Sequence, residues 1–192
     1  IADRERNRVN FPKMEEGKLD GVYLAAFISQ RGRTPDSLQI AVNRIDGIID
    51  DIYKQVELNK DVCGIAITPA DFARLKKEGK FTVFIGIENG YGIGKDLKNI
   101  AKFKDRGVTY ITLCHSYDND ICDTSTRTKK EWGGLSPFGE EVINEMNRLG
   151  IMIDVSHASD KTFFDALEIS QTPIIASHSS VRSICNHHRN LT

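Results

Sequence analysis

Four short apolar runs in this chain each lead to a residue that could do chemistry, and three of those four residues are histidines. The runs cover residues 81–87, 108–113, 151–156 and 173–177, and the polar residues after them are Glu88, His115, His157 and His178. Neutral imidazole and carboxylate are ligands that suit zinc, at about 2.0–2.2 Å from the ion. A carboxylate has two oxygens, so Glu88 could also bridge two ions about 3.5–4 Å apart. The spacing leaves a one-metal and a two-metal site open.

These residues can act together only if the fold brings the ends of the runs to one place. Each run is short and apolar, which predicts a buried strand. Helix start signals, a capping residue followed by proline in three cases, separate several runs. The sequence predicts strands over 21–29, 81–87, 108–113, 151–156 and 173–177, helices after Thr34, Thr68, Ser136 (ending at Gly150) and Ser159, and a helix over 94–106. Such alternation predicts a parallel sheet whose strand ends share one rim.

Two α/β architectures fit this order: an open doubly wound sheet and part of a (β/α)8 barrel. A complete barrel usually needs about 250 residues, and five strands in 192 residues fall short of that. The dinucleotide-binding open sheet is disfavoured because no G-x-G-x-x-G motif follows the first strand. A partial glycine run, Gly90-x-Gly92-x-Gly94, follows Glu88, whose charge would repel a phosphate.

Composition and charge exclude several classes of protein. An apolar content of 40% and a charged content of 28% are ordinary for a globular protein of one domain. A formal charge of −1 gives no long-range attraction to nucleic acid or anionic lipid. No apolar stretch approaches the ~20 residues that span a bilayer. The chain opens at Ile1, which leaves the compartment open. Buried thiols are expected, rather than a disulfide, for Cys63, Cys114, Cys122 and Cys185.

The remaining polar clusters are expected to be solvated. They comprise Arg182, His187 and His188 near the end of the chain and the loop residues Asp118, Asn119, Asp120 and Asp123. The loop lacks the spacing of an EF-hand, so it is interpreted as solvated loop or as a lip over the substrate. Cys114 falls on the opposite strand face from His115, so a Cys–His nucleophilic pair is not expected. Residues 1–20 are expected to form a polar surface lead-in.

Longer motifs surround the four candidate ligands. They are Ile87-Glu88-Asn89-Gly90, the run 107–115, the run 134–139, Ile153-Asp154-Val155-Ser156-His157, Ser177-His178-Ser179 and Arg189-Asn190-Leu191. In order and spacing they resemble the membrane dipeptidase family, also called renal dipeptidase or peptidase family M19. The resemblance implies a (β/α)8 TIM barrel of the metallo-dependent hydrolase type, with two zinc ions at its carboxyl-end rim. Residues 1–192 would then be part of one barrel domain, with about five βα units present.

The resemblance also implies roles for individual residues. Glu88 would bridge two zinc ions, and His157 and His178 would complete the ligands of one of them. His115 resembles the catalytic histidine that contacts the scissile carbonyl and stabilises its oxyanion, and Arg189 resembles an arginine that contacts bound substrate. The implied activity is hydrolysis of a dipeptide's peptide bond by a metal-activated hydroxide. A dipeptide is the implied partner, with a homodimer as an open alternative to a monomer.

The sequence also departs from the family pattern. The family usually has Glu-Gly-Gly where this chain has Glu88-Asn89-Gly90, and no H-x-D pair, the source of the other zinc's ligands, occurs in the sequence. A later acidic residue of the family is expected beyond Thr192. The first strand and the last strands are therefore expected to be absent, and the chain alone is expected to aggregate through open sheet edges. Two alternatives stay open: a catalytically silent metal- or ligand-binding member of the same fold, and another metal-dependent amidohydrolase.

Overall fold

The computed structural model describes residues 8–192, which form an alternating series of helices and strands. The strands are β1 (Gly21–Phe27), β2 (Cys63–Ile65), β3 (Phe81–Glu88), β4 (Val108–Thr112) and β5 (Met152–Asp154). The helices are α1 (Phe11–Glu16), α2 (Pro35–Leu58), α3 (Pro69–Lys77), α4 (Lys98–Asp105), α5 (Pro137–Leu149) and α6 (Asp160–Ile169), and a 3₁₀ helix covers Gly90–Ile93. The fold class is α/β, as the alternation predicts.

The described strands form one parallel sheet in the order β1-β3-β4-β5. β2 pairs with the first three residues of β3, along the edge opposite to β1. The register sets Phe27 beside Glu88, and Thr112 beside Asp154. Because the strands are parallel and nearly in step, their carboxyl ends meet at one rim, which is where ligands bind in such sheets.

The two faces of the sheet are packed differently. One face of β3 belongs to the same core cluster as the apolar faces of α2, α4 and α5, and its fully buried side chains are Val83, Ile85 and Ile87. The opposite face carries aromatic rings: between ring centroids, Tyr23 stacks 4.9 Å from Phe84 and meets Tyr110 edge-on at 5.1 Å. Gly86 leaves room for Tyr110, since a Cβ there would lie 2.0 Å from that ring. The helices pack against one face of the sheet, and the aromatic face is the one on which Glu88 lies.

The segment 173–177, predicted as the last strand, is not a regular strand. Its pairing is limited to a bridge between Ile175 and Asp154. Ile175 N–H donates to Ile153 O, and Val155 N–H donates to Ile175 O, both at 2.9 Å. This bridge is parallel, so the segment still delivers His178 to the rim. The sheet still has five strands because it includes β2, which was not predicted. β2 has only three residues, too few to show a periodicity in the sequence.

The predicted surface lead-in contains a short helix with two buried side chains. α1 begins after Asn10, whose side chain accepts the N–H of Lys13 at 3.0 Å. Phe11 and Met14 are buried, and Phe11 stacks 5.4 Å from Phe81 at the start of β3. The prediction of a surface lead-in is therefore wrong for Phe11 and Met14, whose apolar side chains anchor the segment to the core. Residues 1–7 lie outside the described part of the chain.

The helix starts predicted at Thr34, Thr68, Ser136 and Ser159 are confirmed, whereas the helix predicted over 94–106 begins only at Lys98. Thr34, Thr68, Ser136 and Ser159 each accept a backbone N–H from the first turn of the helix that follows. Gly150 ends α5 with φ +66, in the left-handed region, as predicted. All four cysteines are free, and the expectation of a buried thiol is wrong for Cys185, which alone of them is exposed. Among residues 8–192, no helix combines the length and hydrophobicity needed to cross a bilayer.

Candidate metal centre

Glu88 lies at the centre of the rim, with three imidazoles around one of its oxygens. Its Oε1 is 3.5 Å from His115 Nε2, 3.7 Å from His157 Nε2 and 3.5 Å from His178 Nε2. Glu88 is the last residue of β3, and the histidines follow β4, β5 and the bridged segment beside β5. The fold thus brings together the four residues that the sequence singles out.

The four residues are not equivalent in their packing. Glu88, His115 and His157 each offer one ligand atom, and these three atoms lie within 4.8 Å of one another. The His115 and His157 rings are 4.0 Å apart between centroids, and His157 and His178 are 4.9 Å apart. His157 is buried, whereas the His178 side chain is 40% exposed. The prediction grouped His178 rather than His115 with the ligands, and that choice stays a prediction.

The separations suit a metal ion. Two ligand atoms each about 2.1 Å from one tetrahedral zinc lie roughly 3.4 Å apart. The distances from Glu88 Oε1 to the three Nε2 atoms, 3.5–3.7 Å, are close to that value. The residues present therefore fit a divalent cation.

Electrostatics favour the ligand forms of these side chains. The neighbouring His157 imidazole lowers the pKa of Glu88, and His178 and His115 act in the same direction, although burial opposes them. Burial lowers the pKa of His115 and of His178, while the carboxylate of Glu88 opposes that effect at both rings. These shifts favour, at neutral pH, an ionised carboxylate at Glu88 and neutral imidazoles at His115 and His178, which are the forms that coordinate metals.

The backbone around His157 is held in an uncommon conformation. His157 has φ +71, in the left-handed region that residues other than glycine rarely adopt. Its carbonyl accepts the N–H of Ser125 at 2.8 Å and the hydroxyl of Thr124 at 3.0 Å. The loop after β4 therefore fixes the turn that aims this imidazole at Glu88.

That loop is less solvated than the sequence suggested. Asn119 and Asp123 are fully buried. The carboxylate of Asp123 accepts three backbone N–H groups at 2.8–3.0 Å, from Glu131, Trp132 and Gly134. The interpretation as solvated loop is therefore wrong for these two residues, because both side chains satisfy the loop's own backbone.

Near the end of the chain, Arg189 lies beside His178. Arg182, His187 and His188 lie apart from the four rim residues. Arg189 donates to His178 O at 3.3 Å and to Ser179 Oγ at 3.4 Å, and burial lowers its pKa. Arg182 pairs with Asp160 instead. His187 and His188 stack on each other in the exposed end of the chain, as expected for solvated residues. A surface cavity of about 470 Å³ is lined by Arg182 and His188, among others, but by none of the four rim residues.

Three residues near the rim were not singled out from the sequence. The Phe27 ring, at the end of β1, lies 4.8 Å from the His115 ring between centroids. Asp154 and Ser177 form hydrogen bonds beneath the histidines. Phe27 lies at the rim because the β1–β3 register pairs it with Glu88, and this register cannot be read from the sequence. Asp154 has a sequence signal, an acidic residue inside an apolar run.

The sequence model of the membrane dipeptidase family (peptidase family M19) matches residues 1–192. The chain belongs to this family. Among its M19 relatives, dipeptidase 3 of Mus musculus is 33% identical over 192 residues, which cover 97% of this chain and 37% of the relative. Dipeptidase 3 of Rattus norvegicus is 31% identical, over 95% of this chain and 36% of the relative. The chain thus spans little more than a third of the length of these curated relatives.

Solved structures share the fold of this chain. The probable dipeptidase PvdM from Pseudomonas aeruginosa superposes with a TM-score of 0.89 at 31% identity, over 99% of this chain and 50% of that one. An amidohydrolase from Pseudomonas aeruginosa gives 0.82 at 28% identity, over 97% and 53%. A metallopeptidase from Rhodobacter sphaeroides, solved with a phosphinate mimic of the dipeptide L-Ala-D-Ala, gives 0.88 at 20% identity, over 100% and 62%, which shows the fold alone. The parallel sheet thus matches about half of an M19 TIM-barrel dipeptidase.

Proposed function

We propose that this chain carries one part of the active site of a zinc-dependent dipeptidase. The observation behind the proposal is the convergence of three Nε2 atoms on Glu88 Oε1, at 3.5–3.7 Å, at the ligand-binding rim of an M19 sheet. Membership in a metallodipeptidase family gives the reaction class, and the bound dipeptide mimic in the Rhodobacter sphaeroides structure supports a dipeptide substrate.

Glu88, His157 and His178 would hold one zinc ion, and the second oxygen of Glu88 would be free for another. When bound, zinc polarises a carbonyl and lowers the pKa of water. The pKa values of Glu88 and His178 are lowered, so at neutral pH the protein supplies an ionised carboxylate and a neutral imidazole among these ligands. These two residues would therefore coordinate without first losing a proton.

His115 is proposed to stabilise the oxyanion that develops on the scissile carbonyl. Its Nδ1 lies 2.8 Å from Ser116 Oγ. When Ser116 donates its hydroxyl to Nδ1, Nε2 carries the ring's hydrogen and can donate it to an oxyanion. Phe27 packs against the same ring and limits its rotation.

Arg189 is proposed to orient the substrate. A guanidinium can hold a carboxylate through two parallel hydrogen bonds. Within residues 8–192, the Arg189 guanidinium makes only long contacts, at 3.3 Å to His178 O and 3.4 Å to Ser179 Oγ. A substrate carboxylate would be a stronger acceptor than either, so these contacts can be exchanged on binding.

The proposal predicts chelator-sensitive hydrolysis that depends on His157. The intact protein should hydrolyse dipeptides such as L-Ala-D-Ala, lose this activity with a zinc chelator and regain it with added zinc. His157→Ala should lower the zinc content by about one ion per chain, because it removes a ligand of one site. The measurements are peptide hydrolysis and metal content of the purified protein.

His188→Ala is the matched control, since His188 is an exposed histidine outside the cluster. Its zinc content should equal that of the unchanged protein. Chelator-resistant hydrolysis, or no hydrolysis with zinc restored, would contradict the dipeptidase proposal, and an unchanged zinc content in His157→Ala would contradict the ligand set.

Two observations support second candidates. The sequence contains no H-x-D pair, which favours a metal- or ligand-binding member without hydrolysis. The similarity to an amidohydrolase from Pseudomonas aeruginosa favours a metal-dependent hydrolase of other amides. Zinc binding without turnover of any amide would support the first, and turnover of non-dipeptide amides alone would support the second.

A further inference from the structure

Asp154 ends β5 directly beneath the metal centre and is fully buried. Its Oδ1 accepts the backbone N–H groups of Ser156 and Ser177, both at 3.0 Å. Its Oδ2 accepts the hydroxyls of Thr112 and Ser177, both at 2.6 Å. Four donors surround this side chain, so it is ionised and acts only as an acceptor.

The hydroxyl of Ser177 connects this carboxylate to His178. Ser177 Oγ lies 2.6 Å from Asp154 Oδ2 and 2.8 Å from His178 Nδ1. A hydroxyl has one hydrogen, and the ionised carboxylate requires it. Ser177 Oγ can then only accept from the ring, so Nδ1 of His178 carries the ring's hydrogen. In a neutral imidazole the other nitrogen, Nε2, keeps its lone pair.

We propose that Asp154, acting through Ser177, sets the tautomer of His178 and thereby presents the Nε2 lone pair to the metal centre. Nε2 lies 3.5 Å from Glu88 Oε1, so two electron-rich atoms face each other, an arrangement that a cation between them would stabilise. The consequence for metal binding rests on the proposed function, whereas the tautomer does not. Asp154 is a positioning residue, since it reaches the centre only through Ser177.

His115 shows that a serine alone does not fix a tautomer. Ser116 Oγ lies 2.8 Å from His115 Nδ1, the same distance as in the Ser177–His178 pair. Within residues 8–192, no carboxylate accepts the Ser116 hydroxyl, so this serine can either donate to the ring or accept from it. The two histidines therefore differ in that a buried carboxylate, Asp154, fixes the serine hydroxyl beside His178, whereas the serine beside His115 has no such partner among the described residues.

Asp154→Asn tests the direction of this hydrogen-bond chain. Its amide oxygen can still accept the two backbone N–H groups, but its NH₂ group donates toward the hydroxyls. The Ser177 hydrogen is then released to His178 Nδ1, and the ring's hydrogen moves to Nε2. Ser177→Ala removes the link altogether, and Ser177→Thr restores a hydroxyl. Asp123→Asn is the control, because Asp123 is equally buried but, in the described part of the chain, its carboxylate accepts only backbone N–H groups of its own loop.

The readout is the pair of ring ¹⁵N shifts of His178 in the intact, metal-free protein labelled at histidine, followed by zinc affinity from competition with a chromophoric chelator. We expect the Nδ1–H tautomer in the unchanged protein, in Asp123→Asn and in Ser177→Thr, and its loss in Asp154→Asn and Ser177→Ala. Zinc affinity should fall about 10- to 100-fold in the last two variants, as for other partners that orient a ligand histidine.

An Nε2–H tautomer in the unchanged protein, or an unchanged tautomer in both Asp154→Asn and Ser177→Ala, would overturn the inference. Ser177 is exposed, so Ser177→Ala supplies the test if the buried Asp154→Asn does not fold. Tautomers that follow the variants in a protein that binds no zinc would support the assignment of Asp154 and overturn the proposed function.

Discussion

Asn89, the residue after Glu88, has a backbone conformation that few residue types can adopt. Its φ is +82, which residues other than glycine rarely adopt and which asparagine tolerates better than most. Its buried amide donates to Ile28 O and accepts from Tyr91 N–H, both at 3.2 Å. The glycine usual in the family and the asparagine of this chain are therefore two solutions to one constraint, and the departure leaves Glu88 in place.

Replacing Asn89 should show that the backbone conformation matters more than the amide. Asn89→Ala should lower the free energy of unfolding by about 2–3 kcal/mol, from strain at positive φ and from lost hydrogen bonds. Asn89→Gly should lower it less, because glycine adopts this φ freely. Urea denaturation measures both values, and a larger loss for glycine than for alanine would refute this explanation.

The residues that meet at the rim could be predicted, but not the residues that orient them. Glu88, His115, His157 and His178 each follow an apolar run, so the shared rim of a parallel sheet brings them together. Asp154 lies inside such a run, and burial of a carboxylate is costly unless it is hydrogen-bonded. An acidic residue inside an apolar run is therefore a usable signal in the sequence. The hydrogen-bond partners of Asp154 lie on β4 and on the segment beside β5, and only the fold brings these together.

At the scale of elements, local chemistry was enough to predict helix ends but not short strands. Capping side chains and Gly150 act through contacts within a few residues, so their sequence signals suffice. β2 has three residues and the segment 173–177 pairs through one bridge, so both depend on neighbours distant in sequence. The predicted strand at 173–177 is wrong because most of its backbone has no strand partner in the described fold.

Two glycines in helical segments should respond to alanine in opposite directions. Gly150 ends α5 at φ +66, so Gly150→Ala should lower the free energy of unfolding by about 1 kcal/mol. Gly47 lies exposed within α2 with no atom near its missing Cβ, so Gly47→Ala should raise it by about 0.5–1 kcal/mol. Urea denaturation of the two variants in parallel checks the signs, and a loss at Gly47 would contradict the helix geometry.

At the scale of the molecule, buried and exposed carboxylates contribute to acid stability by different means. Arg182 and Arg148 lower the pKa of Asp160 and of Glu145 respectively, and both pairs lie at the surface. Such pairs are screened by salt. Burial would raise the pKa of Asp154, but hydrogen bonds from Ser177, Thr112 and backbone N–H groups outweigh it and lower that pKa. These donors are neutral, so salt should hardly affect them.

The pKa of Asp154 in the folded state lies below the value of about 3.9 expected in the unfolded chain. The ionised carboxylate therefore stabilises the fold above about pH 3.9, and this stabilisation is lost as the pH falls through the folded-state pKa. The melting temperature of the intact protein should therefore fall between about pH 5 and pH 2, and in about 1 M salt much of this fall should remain. Asp154→Asn should melt lower at neutral pH and show a flatter acid dependence, because its amide does not titrate. Parallel acid dependences for the two proteins would show that the surface pairs, rather than the carboxylate of Asp154 beneath the candidate metal centre, control acid unfolding.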